Sequence, residues 1–132
     1  IANNNDWILV HDAVRPCILS EDIENLIDQV FDHPIGGILA TRIIDTVKQI
    51  SSQKELSTID RKTLYHAQTP QMFRFGILNE ALKKSIEFDN IITDESEAIE
   101  NLGHSIKIVK GSKSNIKITQ TDDLKLANYY LK

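Results

Sequence analysis

The sequence predicts an α/β fold built on a parallel sheet, and three observations predict it. The run Trp7–Val10 is apolar without interruption, as expected of a strand buried on both faces of such a sheet. After it, stretches with apolar residues at helical spacing alternate with short strand-like runs, which is the pattern of an α/β domain. With 41% apolar and 26% charged residues, the 132 residues can build the core of about one domain.

The start of the sequence predicts that this domain is larger than the chain. The chain begins at Ile1 without a methionine and reaches the apolar strand at Trp7. A central parallel strand needs neighbours, which earlier βα units usually supply. Residues 1–6 lack the charged segment and apolar core of a signal peptide. We therefore expect residues 1–132 to be the C-terminal portion of a single domain.

Composition argues against several function classes. No apolar stretch approaches the ~20 residues that a membrane-spanning helix needs. Cys17 is the only cysteine, so an internal disulfide and a multi-cysteine zinc site are ruled out. The net charge of −4 argues against a general nucleic-acid-binding protein. We expect a cytoplasmic enzyme that binds neither nucleic acid nor membrane.

A helix is predicted after the first strand. Ser20 can cap it, with Glu21 and Asp22 in its first turn. Its buried face is expected to hold the apolar residues at helical spacing, which are Ile23, Leu26, Ile27 and Val30. The His-Pro pair at 33–34 ends the helix, and residues 36–40 are predicted to form a second strand.

Three more helices and two more strands are predicted towards the C-terminus. The helix at 75–88 should bury its apolar residues, which are Ile77, Leu78, Ala81, Leu82 and Ile86. The next helix begins at Thr93 or Asp94 and runs to Leu102, and Gly103 suits the left-handed residue that follows a helix. Residues 106–109 and 116–119 read as strands, and a last helix opens at Thr121.

Residues 43–66 interrupt this alternation, and we call them the arm. Apolar and polar residues alternate in places on both sides of a polar turn at 51–54, which predicts a β-hairpin that extends from the α/β body. A two-stranded ribbon alone is marginal in water, so this one is expected to pack against something. A partner subunit is one candidate, and the hairpin's own domain is the other.

Charged residues follow the first strand directly. Asp12 and Arg15 fall where that strand ends, in the crevice where open α/β sheets bind ligands. There a carboxylate can hold a divalent metal and an arginine can hold a phosphate. The alternative is a surface loop in which Asp12 caps a turn and Arg15 is solvated. These two residues alone do not decide between a ligand site and such a loop.

Six short motifs occur in one order and together resemble one known family. They are His11-Asp12-Ala13-Val14-Arg15-Pro16-Cys17, Asp45-Thr46-Val47-Lys48, Ile59-Asp60-Arg61, His66-Ala67-Gln68-Thr69-Pro70-Gln71-Met72-Phe73, Thr93-Asp94-Glu95-Ser96-Glu97-Ala98 and Asn115-Ile116-Lys117-Ile118-Thr119. Each motif alone is weakly specific. In this order and spacing they closely resemble 2-C-methyl-D-erythritol 4-phosphate cytidylyltransferase over essentially the whole chain.

The resemblance implies a fold and a reaction. The fold is a Rossmann-like nucleotidyltransferase domain with a protruding β-hairpin arm, of which this chain would be the C-terminal part. The reaction transfers a cytidylyl group from CTP to the phosphate of methylerythritol phosphate and releases pyrophosphate, with the help of Mg²⁺. It belongs to the non-mevalonate pathway of isoprenoid biosynthesis.

The resemblance also gives roles to seven residues, motif by motif. Asp12 would bind the metal, while Arg61 and Lys117 would be catalytic and position the substrate phosphate. The other contacts to methylerythritol phosphate would come from Arg15, Thr46, Thr69 and Thr93. The side-chain chemistry suits these roles, since a hard cation prefers carboxylate oxygen and a guanidinium matches phosphate bidentately.

From the residues alone, other interpretations of these positions stay open. Thr93 can be only a helix cap, Arg61 an exposed hairpin residue and Lys117 a residue on the solvent face of a strand. His11, His66 and Cys17 are assigned to structure, because their spacing does not indicate a metal site.

The chain departs from the family pattern in two places. Residues 41–44 read Thr-Arg-Ile-Ile where the family usually has a proline and a valine before Asp-Thr, so Arg42 bears on the geometry at the base of the arm. The glycine-rich loop for the CTP phosphates and the strands that recognise cytosine have no counterpart in these 132 residues. The nucleotide half of the site is therefore assigned to no residue, and the chain alone is expected to be inactive.

Three functional hypotheses follow. The first is an incomplete copy of a methylerythritol phosphate cytidylyltransferase, and the second is a related cytidylyltransferase that acts on ribitol 5-phosphate. The third is a non-catalytic dimerisation or binding fragment. Under the first, the resemblance implies a homodimer whose arms interlock, so that Thr46 and Arg61 reach the partner's site.

Overall fold

The main sheet is organised around a strand that the sequence analysis did not predict. This strand, β5 (Tyr65–Arg74), lies between β1 (Trp7–Val10) and β2 (Gly36–Arg42) and pairs antiparallel with both. Strand β6 (Lys107–Lys110) pairs parallel with β2 and completes the order β1-β5-β2-β6. This is a computed structural model, and it describes residues 2–132.

The first strand is present, and one of its neighbours is antiparallel. Within residues 2–132, β1 pairs with β5 alone and antiparallel, and Leu9 is 40% exposed. The observed neighbour is antiparallel, so the sheet is not purely parallel at this strand. The prediction of a central strand assigned its other neighbours to earlier βα units, which are not among residues 2–132, and it therefore stays a prediction.

Two apolar clusters cover the two faces of the sheet. On one face, Ile38 and Phe73 pack with buried residues of α2 (Phe75–Glu87) and α3 (Glu95–Asn101). On the other face, their neighbours Leu39 and Met72 pack with α1 (Ser20–Val30) and Val109. Adjacent strand residues point to opposite faces, so both sides of β2 and β5 are buried between helices. The α/β prediction is confirmed, with a mixed rather than a purely parallel sheet.

The details of α1 differ from the prediction. Ser20 is the first helical residue, and the N-cap is Leu19, which makes no side-chain cap. Ile27 is 37% exposed, whereas Asp22 is 5% exposed. The Asp22 carboxylate accepts hydrogen bonds from the amide and hydroxyl of Ser112 at 3.1 and 2.9 Å, so the loop after β6 explains why a carboxylate is buried there.

The remaining helices are close to prediction at their ends. In α2, however, Ile86 is 79% exposed and Ser85 is buried in its place, with its hydroxyl donating to the Ala81 carbonyl. Asp94 is the N-cap of α3, and Gly103 has the expected positive φ of 83° after it. The last helix, α4 (Thr121–Tyr130), is preceded by a capping box between Gln120 and Asp123. No helix in the described part of the chain is both long and apolar enough to cross a membrane.

Of the two strands predicted near the C-terminus, only the first exists. Residues 106–109 correspond to β6, shifted by one residue. In the described chain, residues 116–119 form no strand, and the Ile118 amide instead donates to the Val14 carbonyl at 2.9 Å. This contact ties the segment that carries Lys117 to the loop after β1.

The predicted hairpin is present in the arm. Strands β3 (Val47–Ile50) and β4 (Leu56–Ile59) form a separate two-stranded antiparallel sheet, and a short 3₁₀ turn, Arg61–Thr63, leads back to β5. At its base, Arg42 donates to the Lys62 carbonyl at 3.2 Å and lies 5.1 Å from the centre of the Tyr65 ring. The departure at Arg42 therefore joins the two sides of the arm base.

Candidate functional site

The loop after β1 places a carboxylate between two cations. Arg15 Nε donates to Asp12 Oδ2 at 3.1 Å, and Lys117 Nζ lies 3.3 Å from the same oxygen. Arg15 and Asp12 are also joined through the backbone, since the Arg15 amide donates to the Asp12 carbonyl at 3.0 Å. Lys117, which is distant in the sequence, thus meets the neighbouring residues Asp12 and Arg15 at one carboxylate.

The cations keep Asp12 ionised. Partial burial alone would raise the pKa of the Asp12 carboxyl, but hydrogen bonds from Arg15 and Lys117, together with their charges, hold it below the ordinary value of 3.8. The two cations differ in freedom, because the Arg15 side chain is 12% exposed and that of Lys117 is 50% exposed. Arg15 is therefore fixed in the wall, while Lys117 can reorient towards a ligand.

Arg15 also joins three segments of the chain. Its Nη1 donates to the Asn115 carbonyl at 2.7 Å, and its Nη2 lies 3.4 Å from the Ala67 carbonyl. Together with the bond to Asp12, these contacts tie the loop after β1 to β5 and to the segment before Lys117. The sequence suggested either a solvated arginine or a phosphate ligand, and it gave no signal for this connecting role.

Thr69 lies behind the Asp12 loop. It is 6% exposed, and its hydroxyl oxygen accepts a hydrogen bond from the Asp12 amide at 2.9 Å. The same hydroxyl lies 2.9 Å from His11 Nδ1. The Thr69 carbonyl in turn accepts from Asn115 Nδ2 at 2.7 Å, so Thr69 connects the loop after β1 to the segment before Lys117.

Thr93 lies at the start of α3, where it is exposed. Both its amide and its hydroxyl donate to Glu97 Oε2, at 2.6 and 2.7 Å. These two bonds lower the pKa of the Glu97 carboxyl, the amide bond being the larger cause. The N-cap itself is Asp94, whose Oδ1 accepts from the Glu97 amide. Thr93 thus precedes the cap, and its hydroxyl is held at the helix start.

Buried amide side chains that the sequence analysis left without a role support this arrangement. Asn115 is 0% exposed, and Gln68 is 6% exposed with its Nε2 donating to the Ser112 carbonyl. Gln71 is 1% exposed, donates to Asp94 and accepts from the Ser96 amide. The signal that could have found them is their place inside the quoted motifs, since polarity alone predicts exposed positions.

Five of the seven predicted site residues line one cavity of about 310 Å³. They are Asp12, Arg15, Thr69, Thr93 and Lys117. A second cavity of about 510 Å³ shares Arg15 and Lys117 and extends to the base of the arm at Arg42 and Asp45. Of the site residues in the described chain, Thr46 and Arg61 stand outside both cavities, and both are exposed in the arm.

The donors suit a metal that a substrate shares, not a metal held by protein alone. Among residues 2–132, no group of three or more His, Cys, Asp or Glu side chains could hold an ion. Mg²⁺ is commonly bound by one or two carboxylates together with substrate phosphates and water. Asp12 meets that description, because its side chain is ionised, 32% exposed and lines the cavity.

The chain also matches known proteins. The family model of 2-C-methyl-D-erythritol 4-phosphate cytidylyltransferase (IspD) matches residues 1–132. Relatives of that name from Vesicomyosocius okutanii and Vibrio parahaemolyticus are 53% and 48% identical over 99% and 96% of this chain. The chain spans about half the length of these curated relatives, 54% in both cases.

Solved structures give the same result. The Francisella tularensis 2-C-methyl-D-erythritol 4-phosphate cytidylyltransferase matches with a TM-score of 0.89 and 40% identity, over 98% of this chain and 61% of that one. The enzyme from Thermus thermophilus, at 24% identity, shares the fold with a TM-score of 0.83, over 93% of this chain and 60% of that one. The family-model match and the named relatives confirm the family predicted from the six motifs. The chain belongs to the 2-C-methyl-D-erythritol 4-phosphate cytidylyltransferase family.

Proposed function

We propose that the complete protein transfers a cytidylyl group from CTP to 2-C-methyl-D-erythritol 4-phosphate and releases pyrophosphate, a step of non-mevalonate isoprenoid biosynthesis. The observation that carries this proposal is the cluster of Asp12, Arg15 and Lys117 in one cavity of a chain of this family. Asp94 and Glu95 also line this cavity, so its positive charge is local to the cluster, where two cations flank one carboxylate. A phosphate ligand is favoured at that point.

Lys117 is the cation that contacts the substrate phosphate in this proposal. Its side chain is half exposed, and its ion pair with Asp12, at 3.3 Å, is a contact that a phosphate can replace. Arg15 is held by bonds to the Asn115 and Ala67 carbonyls and keeps Asp12 in place when Lys117 moves. Donors that are already oriented stabilise developing charge on a phosphoryl group with little reorganisation.

Asp12 is the residue that would hold Mg²⁺. When bound, the ion would neutralise charge on the phosphates that meet at the cavity. Both cations approach Oδ2 of Asp12, and the carboxylate as a whole stays ionised and partly exposed. Thr69 and Thr93 complete the substrate contacts from the wall and the rim of the same cavity.

We propose that the arm supplies Thr46 and Arg61 to the site of a second subunit in a homodimer. Both residues lie in exposed parts of the arm. Three apolar side chains of the arm, Ile44, Ile50 and Leu56, are 59%, 69% and 64% exposed, which suits burial against another subunit. A two-fold dimer would use this surface twice and form two equivalent sites.

A cytoplasmic location completes the proposal. Cys17 is a free and buried thiol, which fits the reducing conditions of that compartment. Cell fractionation tests the location, with CTP-dependent pyrophosphate release as the marker; activity confined to a membrane fraction would contradict it.

The activity is tested with the full-length protein, CTP and Mg²⁺. We expect pyrophosphate release when 2-C-methyl-D-erythritol 4-phosphate is added, and far slower release with ribitol 5-phosphate at the same concentration. Equal or faster turnover of ribitol 5-phosphate would contradict the proposed substrate. The 132-residue chain alone is expected to release no pyrophosphate, and measurable release by it would contradict the need for a separate nucleotide-binding part.

A further inference from the structure

We propose that His11 is a positioning residue of this site, which fixes the Asp12 loop through Thr69 and Arg15. Among residues 2–132, His11 is not one of those that line either cavity. Its ring nevertheless contacts the two parts of the structure that hold the cluster in place, the Thr69 hydroxyl and the Arg15 carbonyl. The inference deepens the proposed function and rests on it.

The geometry assigns the tautomer of His11. Its Nε2 lies 3.0 Å from the carbonyl oxygen of Arg15, which can only accept, so Nε2 must carry a proton. In the neutral ring Nδ1 is then an acceptor, and the Thr69 hydroxyl donates to it at 2.9 Å. The Thr69 oxygen remains free to accept from the Asp12 amide at 2.9 Å, as observed.

These bonds close a ring around the loop. The hydrogen bonds run from the Asp12 amide to Thr69, from the Thr69 hydroxyl to His11, and from His11 to the Arg15 carbonyl. The Arg15 side chain returns to the Asp12 carboxylate and completes the ring. Every member therefore has a defined donor or acceptor role, and the position of Asp12 depends on a residue outside the cavities.

The ring also limits what Thr69 can offer a substrate. Its hydroxyl proton is donated to His11, and one of its lone pairs is taken by the Asp12 amide. One lone pair is left, so Thr69 can accept from a substrate hydroxyl but cannot donate to a phosphate. Its main task in this arrangement is to hold the Asp12 backbone.

The first test measures the hydrogen bonds without reference to activity. In the full-length protein labelled with ¹⁵N-histidine, at a pH where the ring is neutral, we expect the proton of His11 to lie on Nε2. Thr69→Val should shift the Nδ1 resonance of His11, because it removes the hydroxyl donor. A tautomer protonated on Nδ1, or an Nδ1 resonance unchanged by Thr69→Val, would overturn the ring.

The second test uses variants that each keep a part of the ring. Relative to the wild type, His11→Ala should lower kcat/KM for methylerythritol phosphate by about tenfold, since it removes two hydrogen bonds. His11→Asn keeps an acceptor near the Nδ1 position, and His11→Gln keeps a donor near the Nε2 position, so each should restore part of the loss. His11→Gln loses only the contact with Thr69. In a protein that already carries Thr69→Val, adding His11→Gln should therefore lower kcat/KM little further.

His33 offers a matched control. Its Nδ1 accepts from the amides of Ile35 and Gly36 in the turn before β2. His33→Ala should lower the melting temperature and leave kcat/KM within about twofold of wild type, because His33 lines neither cavity and its bonds hold only this turn. If His11→Ala also lowers only the melting temperature and leaves kcat/KM near wild type, His11 is only structural. The same conclusion follows if the losses of kcat/KM caused by His11→Gln and Thr69→Val are fully additive. A wild-type protein without cytidylyl transfer would instead refute the proposed function, and this outcome is separate from either variant result.

Discussion

The two regions that carry the proposed site are held in opposite ways. We call the first region the platform. It consists of the loop after β1 (residues 11–15), the polar part of β5 (67–71) and the segment around Lys117 (111–117). In the platform, Thr69 and Asn115 are 6% and 0% exposed and hydrogen-bond across segments. In the arm, Ile50 and Leu56 pair across the two strands and are 69% and 64% exposed.

This difference supports the proposal that the chain's own fold forms one part of the site and that assembly supplies the other. The platform is fixed by the chain's own contacts, so Asp12 and Arg15 are oriented before any ligand arrives. The arm is a two-stranded ribbon, and such a ribbon alone is marginally stable in water. We therefore expect the position of Arg61 to depend on the proposed partner subunit.

The largest effect is expected at the centre of the platform. In the full-length protein, Asp12→Asn should lower kcat by roughly 10²–10³-fold, because it removes the carboxylate charge that lies between Arg15 and Lys117 and the proposed ligand of the metal. Steady-state pyrophosphate release at saturating Mg²⁺ measures it. Asp122→Asn is the control, since Asp122 forms an exposed pair with Lys125. Near-normal turnover of Asp12→Asn would remove Asp12 from the site.

The next effect tests whether the arm acts across the interface. Lys117→Ala and Arg61→Ala should each lower the rate by at least ~10²-fold, as is typical for a transition-state donor. After subunit exchange between these two variants, each heterodimer should hold one site with both defects and one with neither. Activity should then recover towards half of wild type per heterodimer.

A second mixture provides the control for this experiment. Asp12 and Lys117 both belong to the platform, so a heterodimer of Asp12→Asn and Lys117→Ala should have one defect in each site and recover nothing. If exchange is verified and the Arg61→Ala mixture also stays at background, Arg61 serves its own subunit. That result would place both halves of the site in one chain.

A smaller effect is expected on assembly itself. Replacing both Ile50 and Leu56 by serine should raise the dimer dissociation constant at least ~10-fold, because each side chain would otherwise bury apolar surface worth about 1.5–3 kcal/mol. Analytical ultracentrifugation over a concentration series measures this. Ile86→Ser is the control, since Ile86 is 79% exposed but lies on α2, outside the arm. An unchanged dissociation constant would show that the arm does not form the interface.

The same contrast explains which parts of the fold could be predicted. The arm followed from local alternation and a polar turn, and the helices from their apolar spacing. Strand β5 was missed because Gln68 and Gln71 interrupt it with polar residues, and such residues are buried only when distant groups bond them. Their partners, Ser112 and Ser96, lie 44 and 25 residues away, so no local pattern contains this information.

The prediction of a strand at 116–119 failed for a related reason. The Ile-Lys-Ile-Thr pattern is typical of a half-buried strand, but the segment is tied by a backbone bond to Val14 and carries Lys117 into the cavity. The identities of the site residues came from the motifs. Their positions depend on buried polar contacts, which only the folded chain supplies.

The smallest expected effect is the pH dependence of the platform's stability. Burial raises the pKa of Asp12, but bonds from Arg15 and Lys117 outweigh it, so the folded-state pKa lies below 3.8. A carboxyl with a lowered pKa contributes stability above its unfolded pKa of about 3.9 and loses it as the pH falls through the folded value. The free energy of unfolding should therefore differ most between wild type and Asp12→Asn above about pH 4, and the difference should shrink at lower pH, where a protonated Asp12 is as neutral as asparagine. Urea unfolding in Mg²⁺-free buffer from about pH 3 to 7 measures the difference, with Asp122→Asn as the exposed control. A difference that stays constant, or that grows as the pH falls, would mean that the ion pairs of Asp12 do not stabilise the platform.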